Sequence, residues 1–173
     1  MGARGCRKNC GEVSVMSGGY FEIGIFGAKR ETNVGTLWRT AYQLGASGIF
    51  VIGRRYRRQC SDTVSTDGQI PLREHDTFED FLAQRPSGAE LIAVEMGGRP
   101  LSQSTHPSRA VYILGAEDSG LPKSVVRACD RLVTVESVRM ASYNVAVAGS
   151  LVMYHRFVEQ VRTKSIFRLN GVE

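Results

Sequence analysis

The chain has 173 residues, a formal net charge of +5 and a sequence pI of about 9.2, with no low-complexity tract and no internal repeat. That length supports one domain with a full core, and no apolar run approaches the ~20 residues that a membrane span needs. Residues 1–15 carry Arg4, Arg7 and Lys8 but no apolar stretch, so they are not a secretory signal. They read as a disordered leader or a misassigned start with Met16 as initiator, ahead of one domain over residues 16–173. Cys6, Cys10, Cys60 and Cys129 lie at no metal-ligand spacing with histidine. Unpaired thiols suit a reducing cytosol, and Cys129, in an apolar context, reads as a small core residue.

In chain order, residues 20–26 (YFEIGIF) read as a strand. Residues 33–44 repeat apolar side chains at helical spacing and stop at Gly45. Residues 48–52 form a second strand, and Arg54, Arg55, Arg57 and Arg58 follow it around Tyr56. Arginines beside an aromatic suit phosphate contact and base stacking, whereas the simpler reading is a solvated turn. Residues 70–72 read as weakly extended, and residues 76–84 as an amphipathic helix capped by Asp76. Strands are expected at 90–95, 110–114 and 132–135, and a helix at 121–129 has Pro122 in its first turn. The last helix starts at Ser142 and runs to about Thr163. Its first part, SYNVAVAGSLVMY, is apolar on every face, which predicts a buried helix. Ser142 and Asn144 suit its N-cap, and Ala146, Ala148 and Gly149 permit close packing.

Strands alternating with helices predict an α/β fold with a mostly parallel sheet between helices. Ligands in such sheets bind beyond the carboxyl ends of the strands. The candidate loops are therefore 27–32, 53–63, 96–107, 115–120 and 136–141. No G-x-G-x-x-G follows the first strand and no P-loop motif occurs, which disfavours dinucleotide and P-loop sites. Gly115 and Gly120 flank Glu117 in a loop after a buried-looking strand, an arrangement that also suits an ordinary tight turn. Arg39 on an otherwise apolar helix needs a partner, a polar cavity or a route to solvent along its own stem.

Three segments occur in a meaningful order: NVGTLWR at 33–39, LGAEDSGLP at 114–122 and SYNVAVA at 142–148. Together they resemble the three motifs of the TrmH/SpoU branch of the SPOUT RNA 2′-O-methyltransferases, over roughly residues 20–160. The resemblance implies a SPOUT-type fold with a C-terminal deep trefoil knot, working as a homodimer that binds S-adenosylmethionine in the knot. It implies cofactor contacts at Val94, Glu95, Met96, Leu114, Gly115, Val135, Ser142, Tyr143 and Asn144. It also implies catalysis by Arg39 with Asn33, Glu117, Ser142 and Asn144, with methyl transfer to a ribose 2′-hydroxyl of tRNA or rRNA. Arg39 then acts as a base after losing a proton to an RNA phosphate, or stays charged and stabilises alkoxide character. Arg54, Arg55, Arg57 and Arg58 are the expected RNA contacts, and neither a metal nor a membrane is expected.

The sequence departs from that pattern twice. Val135-Glu136-Ser137 stands where many members have an Ile-Pro-Met-like stretch, and Tyr143 stands where many have leucine. Both departures are expected near the cofactor. The alternatives are an RNA-binding SPOUT-fold module without methyl transfer and an enzyme of this fold acting on a base. The Asn33/Arg39 pair argues against the latter.

Overall fold

The computed structural model describes residues 19–56, 69–139 and 142–169, with side chains described as far as Thr163. The elements are β1 (Tyr20–Phe26), α1 (Glu31–Gln43), β2 (Gly48–Ile52), β3 (Leu72–His75) and α2 (Phe78–Gln84). They continue with β4 (Glu90–Pro100), a 3-10 turn (Leu101–Gln103), β5 (Arg109–Leu114), α3 (Lys123–Arg127), β6 (Arg131–Thr134) and α4 (Val145–Leu169). Among the described residues the six strands form one sheet in the order β3-β2-β1-β5-β4-β6. Every pairing in it is parallel. A parallel sheet is covered on both faces, which is why its central strands read as unbroken apolar runs.

Alternate residues along each strand serve two cores. Ile23, Ile25, Ile49, Val51, Tyr112 and Leu114 meet Val34, Leu37 and Trp38 of α1 and Val145, Val152 and Met153 of α4. Phe50, Ile52, Leu91, Ala93, Val111 and Ile113 meet Phe81 of α2 and Leu121 and Val125 around α3. Helix α4 lies very close to α1. A Cβ on Gly149 would sit 2.5 Å from Leu37 Cδ1, so a small residue is required there.

Several boundaries differ from the expectation. The third strand is Leu72–His75 rather than 70–72, because it takes its register from β2, pairing Ile49 with Leu72 through Ile52 with His75. Helix α2 is capped by Thr77 instead of Asp76. The Thr77 hydroxyl accepts from the Asp80 amide at 3.1 Å, while the Asp80 carboxylate accepts from the Thr77 amide at 3.1 Å. Pro122 is the N-cap of α3, so that helix is shorter than predicted. Strand β4 runs on to Pro100, with a break in register between Val94 and Arg99. Gly98 fills that break, its backbone so near Leu132 that a Cβ would lie 2.7 Å from the Leu132 backbone.

The prediction that α4 is buried all round is corrected. Val147, Leu151 and Tyr154 are 46%, 37% and 57% exposed and form one stripe at i, i+4, i+7, because α4 packs Val145, Ala146, Val152 and Met153 into the core and leaves this side uncovered. Its opposite flank is anchored by polar contacts. Arg156, 1% exposed, donates to the Pro107 carbonyl at 2.7 Å and lies over the Phe21 ring. His106 Nδ1 is 2.6 Å from the Tyr112 hydroxyl, and its Nε2 is 2.8 Å from His155 Nδ1. Burial, with His155, Arg156 and Arg131 nearby, lowers the His106 pKa to about 3. Cys129 is half-buried against the second core; its thiol donates to the Val125 carbonyl at 3.2 Å, and burial raises its pKa to about 11. No helix among the described residues is long and apolar enough to cross a membrane.

Candidate active site

At the carboxyl end of the sheet, three distant segments converge on Asn33. This residue is 8% exposed in the first turn of α1. Its Nδ2 donates to Glu117 Oε1, and its Oδ1 accepts from Asn144 Nδ2 at 3.1 Å. The Asn144 side-chain oxygen in turn accepts from the Ala146 and Val147 amides at 3.0 and 3.4 Å. Asn144 is therefore both the N-cap of α4 and a donor to Asn33, which fixes the orientation of both amides. Ser142 lies before the helix rather than at its cap.

Glu117 is held up by a tight loop after β5. Gly120, with φ +61°, donates its amide to the Ala116 carbonyl at 3.0 Å, and a Cβ on Gly115 would fall 2.2 Å from the Gly120 backbone. Lys29 pairs with Asp118 on the outside of the same loop, tying it to the β1–α1 connection. The Glu95 carboxylate fastens the loop's far end, accepting from the Leu121 amide at 2.8 Å and the Met96 amide at 2.9 Å.

Beside this polar chain lies a cavity of about 340 Å³. Of the expected cofactor residues, Val94, Glu95, Met96, Leu114, Gly115, Val135, Ser142 and Tyr143 line it, and Asn144 does not. Leu121, Thr134, Val145 and Ala148 also line it and were not anticipated. Val145 and Ala148 carried a usable signal, since i and i+3 of a helix's first turn face the same way as its cap. The charged residues of the lining, Glu95, Glu117 and Asp118, are all acidic. Glu117 Oε2 is buried with no hydrogen-bond partner among the described residues, and an unsatisfied buried carboxylate oxygen invites a donor or a cation.

Other expected residues lie elsewhere. Arg39 is exposed on α1, outside the cavity lining, and has no hydrogen bond or ion pair among the described residues. Arg54 donates to the Lys29 carbonyl at 2.6 Å and the Ala28 carbonyl at 3.3 Å, clasping the connection that leads to Asn33. Arg55 is exposed, 3.8 Å from Asp76. Arg57 and Arg58 lie outside the described residues, as do Cys6, Cys10 and Cys60. The Glu136 side chain is not part of the cavity lining, contrary to expectation. The amides of the 3-10 turn draw it away, at 3.0 Å from Leu101 N and 3.2 Å from Ser102 N.

A parallel α/β sheet with an acidic, half-apolar cavity at its carboxyl edge, walled by the loop after β5 and the start of α4, defines a ligand-binding domain of the doubly covered type. The chain belongs to the SpoU rRNA methylase family, whose profile matches residues 21–154. It is 25% identical over 145 residues to a protein of Archaeoglobus fulgidus named as an uncharacterized tRNA/rRNA methyltransferase. That match takes in 80% of this chain, which spans 65% of the archaeal protein's length. Among solved structures, an AdoMet-bound rRNA methyltransferase from Sinorhizobium meliloti superposes with a TM-score of 0.70 at 26% identity, over 82% of this chain and 57% of that one. A structure reported for 2-OH methylation of C/U34 on tRNA gives a TM-score of 0.73 at 23% identity, over 84% and 99% of the two chains. The A. aeolicus TrmH/SpoU tRNA modifying enzyme gives 0.73 at 18% identity, over 86% and 78%. These last two share the fold.

Proposed function

We propose that this chain is an S-adenosylmethionine-dependent RNA methyltransferase that acts on a ribose 2′-hydroxyl of tRNA or rRNA. The observation that carries the reading is the hydrogen-bonded chain Glu117–Asn33–Asn144 at the rim of the cavity. It joins one polar residue from each of three separate motifs beside a space suited to a donor. The cavity fits the donor's chemistry: its wall is half apolar, its charged lining is wholly acidic, and Glu117 keeps one carboxylate oxygen uncommitted. A sulfonium cation is complementary to such a lining. When bound, the cofactor supplies an electrophilic methyl group.

The residues of this chain supply position and charge. Val94, Leu114, Val135 and Val145 bury the apolar parts of the donor, and Ser142 and Glu117 present polar atoms to it. Asn33 holds Glu117 in place, and Asn144 holds Asn33. Arg39 serves the attacking hydroxyl, either as a base relieved of its proton by an RNA phosphate or as a fixed cation beside developing alkoxide. In the first case Arg39 takes up the hydroxyl proton, and in the second that proton passes to water as the methyl group is transferred. The exposed place of Arg39 on α1, with the exposed apolar stripe of Val147, Leu151 and Tyr154 on α4, supports a homodimer in which Arg39 of one subunit completes the site of the other. A threaded, knotted C-terminal segment belongs to the same proposal on the strength of the family match.

The test is calorimetric titration with S-adenosylmethionine, followed by methyl transfer to bulk tRNA and rRNA and digestion to nucleosides. A 2′-O-methylated nucleoside is expected. Poor or absent donor binding would favour the non-enzymatic RNA-binding module, and a base-methylated product would move the chemistry off the ribose.

A further inference from the structure

Glu136, from the divergent stretch Val135-Glu136-Ser137, and Tyr143, the other departure from the family's pattern, meet in the structure. The Glu136 carboxylate accepts from the Leu101 amide at 3.0 Å, from the Ser102 amide at 3.2 Å and from the Ser102 hydroxyl. These amides open the turn Leu101–Gln103 and would otherwise lack an intrachain acceptor. The main-chain carbonyl of Glu136 accepts from the Tyr143 hydroxyl at 3.2 Å. Glu136 is thus fastened outward by its side chain and inward by its backbone.

We infer that Glu136 and Tyr143 form a brace that sets the width of the donor cavity, an inference that rests on the methyl-donor reading above. The geometry is direct. Val135, next to Glu136, and Ser142, next to Tyr143, line one wall together with the Tyr143 side chain. Val94, Glu95 and Met96 of β4 line the cavity as well, and β4 leads from them straight into the 101–103 turn that Glu136 caps. The carboxylate therefore couples the wall that follows β6 to the wall that follows β4. The tyrosine hydroxyl draws the start of α4 onto the same point.

The Ser102 hydrogen bond, with the Leu101 and Ser102 amides, also holds the Glu136 carboxyl below the usual carboxylate range, so the brace is charged at neutral pH. Neither residue touches the polar chain of Asn33, Glu117 and Asn144 through a hydrogen bond. Both act as positioning residues for donor binding, and a bound donor gains from walls that need no further ordering.

The experiment is calorimetry of wild type, Glu136→Ala, Glu136→Gln, Tyr143→Phe and the double variant with S-adenosylhomocysteine, together with kcat and KM for S-adenosylmethionine. Loss of one charge-assisted hydrogen-bond set corresponds to about a tenfold rise in Kd for Glu136→Ala. Glu136→Gln retains an acceptor and recovers part of the affinity. Tyr143→Phe keeps the ring and loses the tie, raising Kd by roughly threefold on the scale of one neutral hydrogen bond. Glu136→Ala combined with Tyr143→Phe falls short of the product of the two, because both act on one loop. KM for the donor follows Kd, while kcat at saturation stays within about twofold.

Unchanged Kd in Glu136→Ala and Tyr143→Phe overturns the brace, as does a fall in kcat at unchanged Kd. Should Glu136→Ala fail to fold, Tyr143→Phe decides alone, since its side chain is partly exposed. Wild-type protein that binds neither nucleoside overturns the methyl-donor reading itself, and the brace with it.

Discussion

Asn33→Asp is nearly isosteric and therefore isolates hydrogen-bond polarity within the chain Glu117–Asn33–Asn144. The contact with Asn144 survives, because the side-chain oxygen that accepts at 3.1 Å remains an acceptor. The other end reverses: the Nδ2 donor to Glu117 becomes a carboxylate oxygen. A hydrogen bond to a charged acceptor disappears, worth about 1.5–3 kcal/mol. In its place two like charges about 3 Å apart repel by roughly 5 kcal/mol at an effective dielectric near 20. The folded protein escapes much of that repulsion by binding one proton between the two carboxylates. The folded variant thus holds a proton that its unfolded chain releases, so acidification favours folding of the variant relative to wild type. The expected destabilisation is about 2–4 kcal/mol near pH 8, shrinking toward pH 5. Urea unfolding of both proteins across that range measures the difference directly. An equal penalty at both ends would refute the placement of the Asn33 amide against Glu117.

Arg39→Ala is expected to lower methyl transfer by at least about a hundredfold while S-adenosylmethionine affinity stays within twofold, because Arg39 is outside the cavity lining; retained turnover in single-turnover kinetics would remove it from the chemistry. In the proposed homodimer, Leu151→Glu puts a charge in the exposed apolar stripe and is expected to shift sedimentation from dimer to monomer, at a cost of several kcal/mol to association. An unshifted dimer would place the subunit contact elsewhere. Replacing Arg54, Arg55, Arg57 and Arg58 together should weaken RNA binding and flatten its logarithmic salt dependence by about 0.7–0.9 for each phosphate left without its arginine; identical slopes by filter binding would exclude them. The His106 pKa lies below that of an unfolded histidine, so its contribution to stability is complete above about pH 6.5 and is lost as pH falls towards about 3. The slope approaches its maximum of about 1.4 kcal/mol of unfolding free energy per pH unit only between roughly pH 5 and 4. His75, also lowered by burial, adds to the same slope. His106→Asn should remove its own share in pH-dependent denaturation, and an unaltered slope would contradict its buried placement.

The strands were legible because both faces of a parallel sheet are buried, and residues 20–26 and 48–52 coincide with β1 and β2. Most of the cavity lining was legible as well, through motif order. Tertiary demands were not. The cap of α2 went to Thr77 because only that position completes the reciprocal bond with Asp80. The exposed side of α4 could not be told from its buried side, since valine, leucine and tyrosine occupy both an interior and an unpartnered stripe. Glu136 was misplaced because the amides that hold its carboxylate, those of Leu101 and Ser102, lie 35 and 34 residues away in sequence. Arg54 looked like a free cation, and its actual partners are backbone carbonyls, which leave no trace in side-chain pattern.

The wholly parallel sheet also governs when this protein can begin to work. No strand pair in it closes as a hairpin, so each awaits a distant segment. Asn33 meets Glu117 across 84 residues and Asn144 across 111. During synthesis the first of these residues leaves the ribosome long before the last exists. The second core, whose residues run no further than Leu132, can gather while Asn144 is still missing, whereas the first waits for α4. The proposed site is thus complete only once α4 has been made and packed in place.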